Sequence, residues 1–142
     1  MNEKVKAVVT HPFTQSPEEI FKAWLDPEIV KKWMFPNGDV GRIEIDPRVG
    51  GSFSFVDHRD GMAIDHRGDY LEIGYPHRIV FTWGIPEDSP DKDRVEINIA
   101  PTDSGSKLTL TVEMDPNWAD YIQPTEKAWS MMLNSMDEVL NQ

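Results

Sequence analysis

The sequence predicts an α+β fold in which a curved antiparallel sheet of about seven strands wraps a long C-terminal helix, with two short helices after strand 1. Three observations carry this prediction. Between residues 40 and 115 the apolar side chains recur at every second position, the habit of strands with one covered face. The last segment switches to helical spacing, with Ala128, Trp129, Met132, Leu133, Met136 and Leu140 on one side. Ahead of the sheet region, two helix-start signals follow one another closely, at Ser16 and at Asp26.

Taken in order, residues 4–10 (KVKAVVT) place Val5, Ala7 and Val9 on one face and read as a first strand. Ser16 with Glu19 forms a capping box, and Pro17 suits the first helical position. Asp26-Pro27 repeats the start signal. The two short helices carry Ile20, Phe21, Trp24 and Leu25, then Ile29, Val30 and Trp33, before Phe35-Pro36-Asn37-Gly38 ends the second. Apolar and polar residues then alternate around Ile43/Ile45, Phe53/Phe55, Val95/Ile97/Ile99 and Leu108/Leu110/Val112/Met114. Gly50-Gly51, Asp60-Gly61, Tyr75-Pro76 and Asp103-Ser104-Gly105 supply the turns. The segment from Gly84 to Asp93 holds two prolines and four acids and reads as an exposed loop. Pro124 can open the final helix, and about 17 residues at ~1.5 Å each give a rod of roughly 25 Å, the width of about five strands. Such a helix is the one element long enough to cover the sheet's apolar face, so it lies across the concave side.

One hairpin fixes which side chains point inward. Asp60-Gly61 favours a two-residue turn with positive φ at both positions. The register that follows pairs Arg59 with Met62, Asp57 with Ile64, Phe55 with His66 and Phe53 with Gly68. Phe53, Phe55, Ile64, His66 and Tyr70 then share the inner face, with a glycine gap at Gly68 opposite Phe53, while Ser54, His58, Asp65, Arg67 and Asp69 point away. Leu71 and Ile73 break the alternation, which predicts a bulge after Tyr70.

At 142 residues the chain fits a single domain spanning residues 1–142. Its net charge of −11, with Lys31-Lys32 and Lys4/Lys6 the largest basic groupings, argues against nucleic acid and anionic membrane surfaces as partners. No apolar run of about 18 residues is present, and the N-terminus lacks the layout of a secretory signal. The absence of cysteine removes disulfides and thiolate chemistry and suits a cytoplasmic protein. Five Trp, six Phe and three Tyr are a heavy aromatic load that must fill a core or line a cavity.

The stretches FKAWLDPEIVKKWMFP, DPRVGGSF, GDYLEIGYPHRIVFTW, GSKLTLT and AWSMML, in that order, resemble the heat-shock-protein-90 ATPase activator-like family of the START-like (SRPBCC, helix-grip) superfamily. The resemblance runs from about residue 10 to 140, is most specific at Asp46 to Gly51 and at the Trp129 helix, and implies a seven-stranded sheet gripping the final helix around a cavity. Two positions depart from the family pattern. Phe35 stands where the resemblance expects glycine after Trp33-Met34, and Ala128 stands where it expects glycine before Trp129.

The candidate ligand-binding residues are Trp33, Phe53, Phe55, His66, Tyr70, Trp83, Trp129, Met132 and Met136, since large rings and thioethers suit an apolar ligand. Taken singly each reads more readily as ordinary core, and the pocket reading rests on the set taken together. His66 and Tyr70 are the candidate acid–base pair, with a satisfied core histidine as the alternative. The register splits Asp57, His58, Asp60, Asp65 and His66 across two faces, so no metal site is expected, nor any cofactor. Asp46 and Arg48 read as a pair bracing a tight corner at Gly50-Gly51. No nucleophile elbow, phosphate loop or triad spacing is present. These readings rank the binding of a small hydrophobic or amphipathic molecule first and a cofactor-free cyclase or hydrolase in the same cavity second. A protein-interaction module regulating a chaperone ATPase ranks third, because that role is expected to need a further domain. A homodimer is compatible with all three.

Overall fold

The computed structural model describes residues 3–142. Strand β1 (Val5–Phe13) is followed by helices α1 (Pro17–Leu25) and α2 (Pro27–Trp33). Six further strands are β2 (Asp39–Ile45), β3 (Ser52–Arg59), β4 (Met62–Gly74), β5 (Arg78–Trp83), β6 (Asp93–Thr102) and β7 (Gly105–Met114). A 3-10 turn (Pro116–Tyr121) leads into helix α3 (Ile122–Leu140). The strands form a seven-stranded antiparallel sheet in the order β1-β7-β6-β5-β4-β3-β2, so every neighbour after β2 is also a neighbour in sequence and β1 closes against the last strand.

The local signals act as their chemistry requires. Ser16 Oγ accepts from the Glu19 amide at 3.3 Å while Glu19 reaches back to the Ser16 amide, and the Asp26 carboxylate accepts from the Glu28 amide at 2.9 Å. Asp60 and Gly61 take φ of 53° and 77°, and the β3–β4 register pairs Phe55 with His66 and Phe53 with Gly68. The register shifts between Tyr70 and Glu72, leaving Leu71 as the bulged, exposed residue. At the β2–β3 corner Arg48 Nε donates to both Asp46 carboxylate oxygens at 3.0 and 2.9 Å, and Gly50 takes φ +85°.

Helix α3 begins two residues before Pro124, because the preceding 3-10 turn has already set the chain's direction. That turn is capped by Asp115, whose carboxylate accepts from the Asn117 amide at 2.9 Å. The core is continuous: Ala7 and Val9 of β1, the inner faces of β5, β6 and β7, both short helices, and Trp129, Leu133 and Met136 of α3 pack into one cluster.

Candidate functional site

Polar ties between α3 and β1 decide where open space falls. The Val8 amide donates to Glu126 Oε2 at 3.0 Å, His11 Nε2 lies 2.7 Å from Asp137 Oδ2, and Gln15 Nε2 donates to the Leu140 carbonyl at 3.2 Å. The helix therefore packs on β1 and α2. Over β3, β4 and β5 its backbone does not close on the sheet, and a cavity of about 420 Å³ opens there.

The aromatic wall of this cavity is a continuous run of tilted ring contacts. The His66 ring lies between Phe35 and Trp83, with centroids 4.6 and 5.1 Å away, and Trp83 meets Trp129 at 5.1 Å. Ala128, Met131 and Met132 form the α3 side, and Asp57, Arg59 and Asp93 supply charge. Of the residues expected from sequence, His66, Trp83, Trp129 and Met132 are thus brought together on the cavity. Phe53, Phe55 and Tyr70 stand deeper, around a gap of only about 10 Å³ that they share with Trp24 and Phe81. Phe53 stacks on Phe55 at 4.6 Å and on Trp83 at 5.8 Å, so these rings back the wall. Trp33 and Met136 are wholly buried, and the Trp33 indole N–H donates to the Ala23 carbonyl at 3.0 Å, a packing role.

The ionisable groups differ in how they are held. His66 Nδ1 lies 3.2 Å from the Phe55 carbonyl; as the donor there, it leaves Nε2 as the basic nitrogen of the neutral ring. Burial holds His66 below the ordinary histidine range, opposed by the Phe55 carbonyl and by the charge of Asp57. Tyr70 is pushed above the ordinary phenol range, first by burial and then by the charge of Asp46. Because His66 lines the cavity and Tyr70 does not, the two do not converge on one open space.

Two acids were not among the expected site residues. Asp57 is 2% exposed, and its carboxylate accepts from the Asp39 amide at 3.1 Å and pairs with Arg59 Nε at 3.0 Å. Gly38 permits this, since a Cβ there would collide with the Asp57 carboxylate. Asp93 is half-buried and pushed up to about 6, first by burial and then by the charge of Asp91. The signal for both was present: Asp57 continues the inward parity of Phe53 and Phe55, and Asp93 that of Val95 and Ile97. Among the described residues no group of three or more His, Asp or Glu is placed to hold a metal ion, and no helix is long and apolar enough to cross a membrane.

A family model for activator of Hsp90 ATPase homolog 1-like protein matches residues 14–141. The chain belongs to this family. Solved structures share its frame. A Nitrosomonas europaea protein superposes with a TM-score of 0.85 at 20% identity, covering 97% of this chain and 95% of its own. A Staphylococcus aureus protein of unknown function gives 0.86 at 20% identity, with 99% and 95% covered. An activator-homolog-like protein from Aeromonas hydrophila, solved by NMR, gives 0.83 at 18% identity, with 96% and 92% covered. No curated protein matches. These likenesses establish the helix-grip fold of the activator-homolog family. Both positions that depart from the expected family pattern, Phe35 and Ala128, line the cavity. Phe35 takes φ +56°, a left-handed conformation that glycine adopts freely and a phenyl-bearing residue does not. Its ring covers His66 nonetheless.

Proposed function

We propose that this protein binds a small hydrophobic or amphipathic molecule in the cavity between the sheet and α3. One observation carries the reading: a space of about 420 Å³ walled by Phe35, His66, Trp83, Trp129 and Met132, with Asn37, Asp57, Arg59, Asp93 and Thr125 as its further polar lining. Ligand sites commonly measure ~300–1,000 Å³ and combine apolar walls with a few convergent polar groups. Phe35 and Ala128 reshape the wall at positions where family resemblance expects glycine, so the identity of the ligand is sought from this chain's own pocket and not carried over from relatives. The reading is of a cytoplasmic carrier or sensor, in keeping with the absence of cysteine.

A ligand that binds only the native state stabilises it by about 2.7 kcal/mol at a hundredfold excess over Kd. For a chain of this length that raises the melting temperature by roughly 5–10 °C. A thermal-shift panel of lipophilic aromatics, fatty acids and polyketide-like compounds tests the proposal. A shift for one class, abolished in Met132→Trp, supports it; an unmoved melt across every class counts against it.

A second reading, cofactor-free acid–base catalysis in the same cavity, has one observation in its favour. His66 and Asp93 both line the cavity, and burial disfavours the charged form of each, holding His66 below its ordinary range and Asp93 above its own. Conversion of a bound compound, lost in His66→Gln with binding retained, would place catalysis ahead of carriage.

A further inference from the structure

The cavity adjoins a second space of about 260 Å³, and Trp83, Ile85, Asp93 and Thr125 line both. Asp93 therefore stands where the two meet. The second space is also lined by Trp118 and Tyr121 of the 3-10 turn, whose rings meet edge to face at 5.3 Å, and by Asp88 and Asp91 of the β5–β6 loop. Among the described residues, the lining of this second space holds three carboxylates and no Lys, Arg or His. In the first, the one guanidinium, Arg59, is already paired with Asp57. The Asp93 carboxylate has no hydrogen-bond partner among the described residues, and Lys4 acts on it only through space.

We propose that the ligand of this site is a monocation, a protonated or quaternary amine on a compact apolar body, with its charge beside Asp93 and the rings of Trp83 and Trp118 and its body in the larger cavity. The inference rests on the small-molecule reading above and specifies the sign of the ligand's charge. Aromatic faces attract a cation through the ring quadrupole, most strongly where water is thin. A half-buried carboxylate gains from an opposite charge at short range what it has lost in hydration. A neutral ligand would desolvate Asp93 further without compensation. An anion would meet Asp88, Asp91 and Asp93 together, on a chain whose net charge is −11. The carboxyl's rise to about 6 fits a group waiting for a counter-charge.

Calorimetric titration of three probes on one phenylpropyl body tests this: a trimethylammonium head, its neutral tert-butyl isostere, and a carboxylate. The cation is expected to bind about tenfold more tightly than the isostere, a difference of ~1.4 kcal/mol, and the carboxylate most weakly. In Asp93→Asn the cation-to-isostere ratio should fall to about two- to fourfold, the share left to the rings, while Asp93→Glu should keep the ratio near its starting value. Asp103→Asn, on the turn at the other end of β6, controls for net charge and should leave the ratio at its starting value. Equal binding of cation and isostere, or a ratio unmoved in Asp93→Asn, overturns the assignment of charge and leaves the small-molecule reading standing. Tightest binding by the carboxylate overturns it in favour of Arg59. Failure of all three probes counts against both readings.

Discussion

Gly68→Ala should be among the most damaging methyl additions this protein can receive, because Gly68 lies beneath the ring stack that backs the cavity. A Cβ at residue 68 would overlap the Thr82 carbonyl oxygen outright and stand 2.6 Å from Phe53 Cζ. The carbonyl cannot rotate away, since it belongs to β5. Phe53 cannot retreat freely either, being packed on Phe55 at 4.6 Å and Tyr70 at 5.5 Å. Relief must come from separating β4 and β5 at this point. That would stretch the paired bonds between Arg67 and Gly84, at 2.8 and 3.0 Å, and the Asp69 amide bond to Thr82 Oγ1 at 2.9 Å. Overpacking costs about 1–3 kcal/mol, and each weakened hydrogen bond roughly 0.5–1.5 kcal/mol, so a loss of about 3–5 kcal/mol is expected. Urea unfolding followed by tryptophan fluorescence reads it as a lower midpoint at unchanged slope. Adding Phe53→Leu should recover no more than about 1 kcal/mol, because the backbone overlap remains. A single-variant loss below about 1 kcal/mol, or full rescue by Phe53→Leu, would refute the reasoning.

Three further outcomes follow from the charged and aromatic groups of the wall. Asp57→Ala leaves the Asp39 amide and Arg59 without their acceptor at a site 2% exposed, and should cost about 2–4 kcal/mol in the same unfolding assay. Asp93 has a folded value of about 6 against 3.8 ordinarily, so the native state holds its proton longer and loses stability as pH climbs through that interval. Lys4 and Asp91 are the charges acting on it. Asp93→Asn should thus exceed the parent in stability at pH 7, by about 1 kcal/mol after allowance for partial exposure, with the difference closing near pH 4 in paired thermal melts. His66 has the opposite sign. Held below 6.5 mainly by burial, with Asp57 and Asp65 opposing, it takes up its proton first in the unfolded chain, so stability is lost as pH falls below about 6.5. His66→Gln should flatten that loss while lowering stability at pH 7.5 by about 1–3 kcal/mol through the lost stacking on Phe35 and Trp83.

Much of the frame was legible because its determinants are local. Asp60-Gly61 dictates a turn, the turn dictates the register, and the register places His66 opposite Phe55 on the inner face. Leu71 breaks the alternation, and the bulge falls there. The 3-10 turn was legible too and was missed: Asp115-Pro116 repeats the cap of Asp26-Pro27, but at the end of a strand. Asp57 and Asp93 were passed over because inward faces were recognised by their apolar members, and parity alone places an acid inside as readily as a phenylalanine. The depth of Phe53, Phe55 and Tyr70 behind the cavity was not legible. It depends on how far α3 stands from the sheet, which is fixed by Glu126 on the Val8 amide and Asp137 on His11, contacts between residues more than a hundred positions apart. Helical periodicity reports which face of α3 is apolar and nothing about its tilt.

The methionines provide the most direct test of binding in the cavity. Met131 and Met132 line it, Met34 and Met136 lie in the core, and Met62 is exposed on the β3–β4 hairpin. With the methyl groups carbon-13 labelled and assigned by single substitutions, titration with a compound that raises the melting temperature should move the Met131 and Met132 resonances together in a saturable way. Met62 and Met136 should stay in place. Binding that moves Met62 and spares Met131 and Met132 would put the ligand elsewhere on the molecule and contradict a site between the sheet and α3.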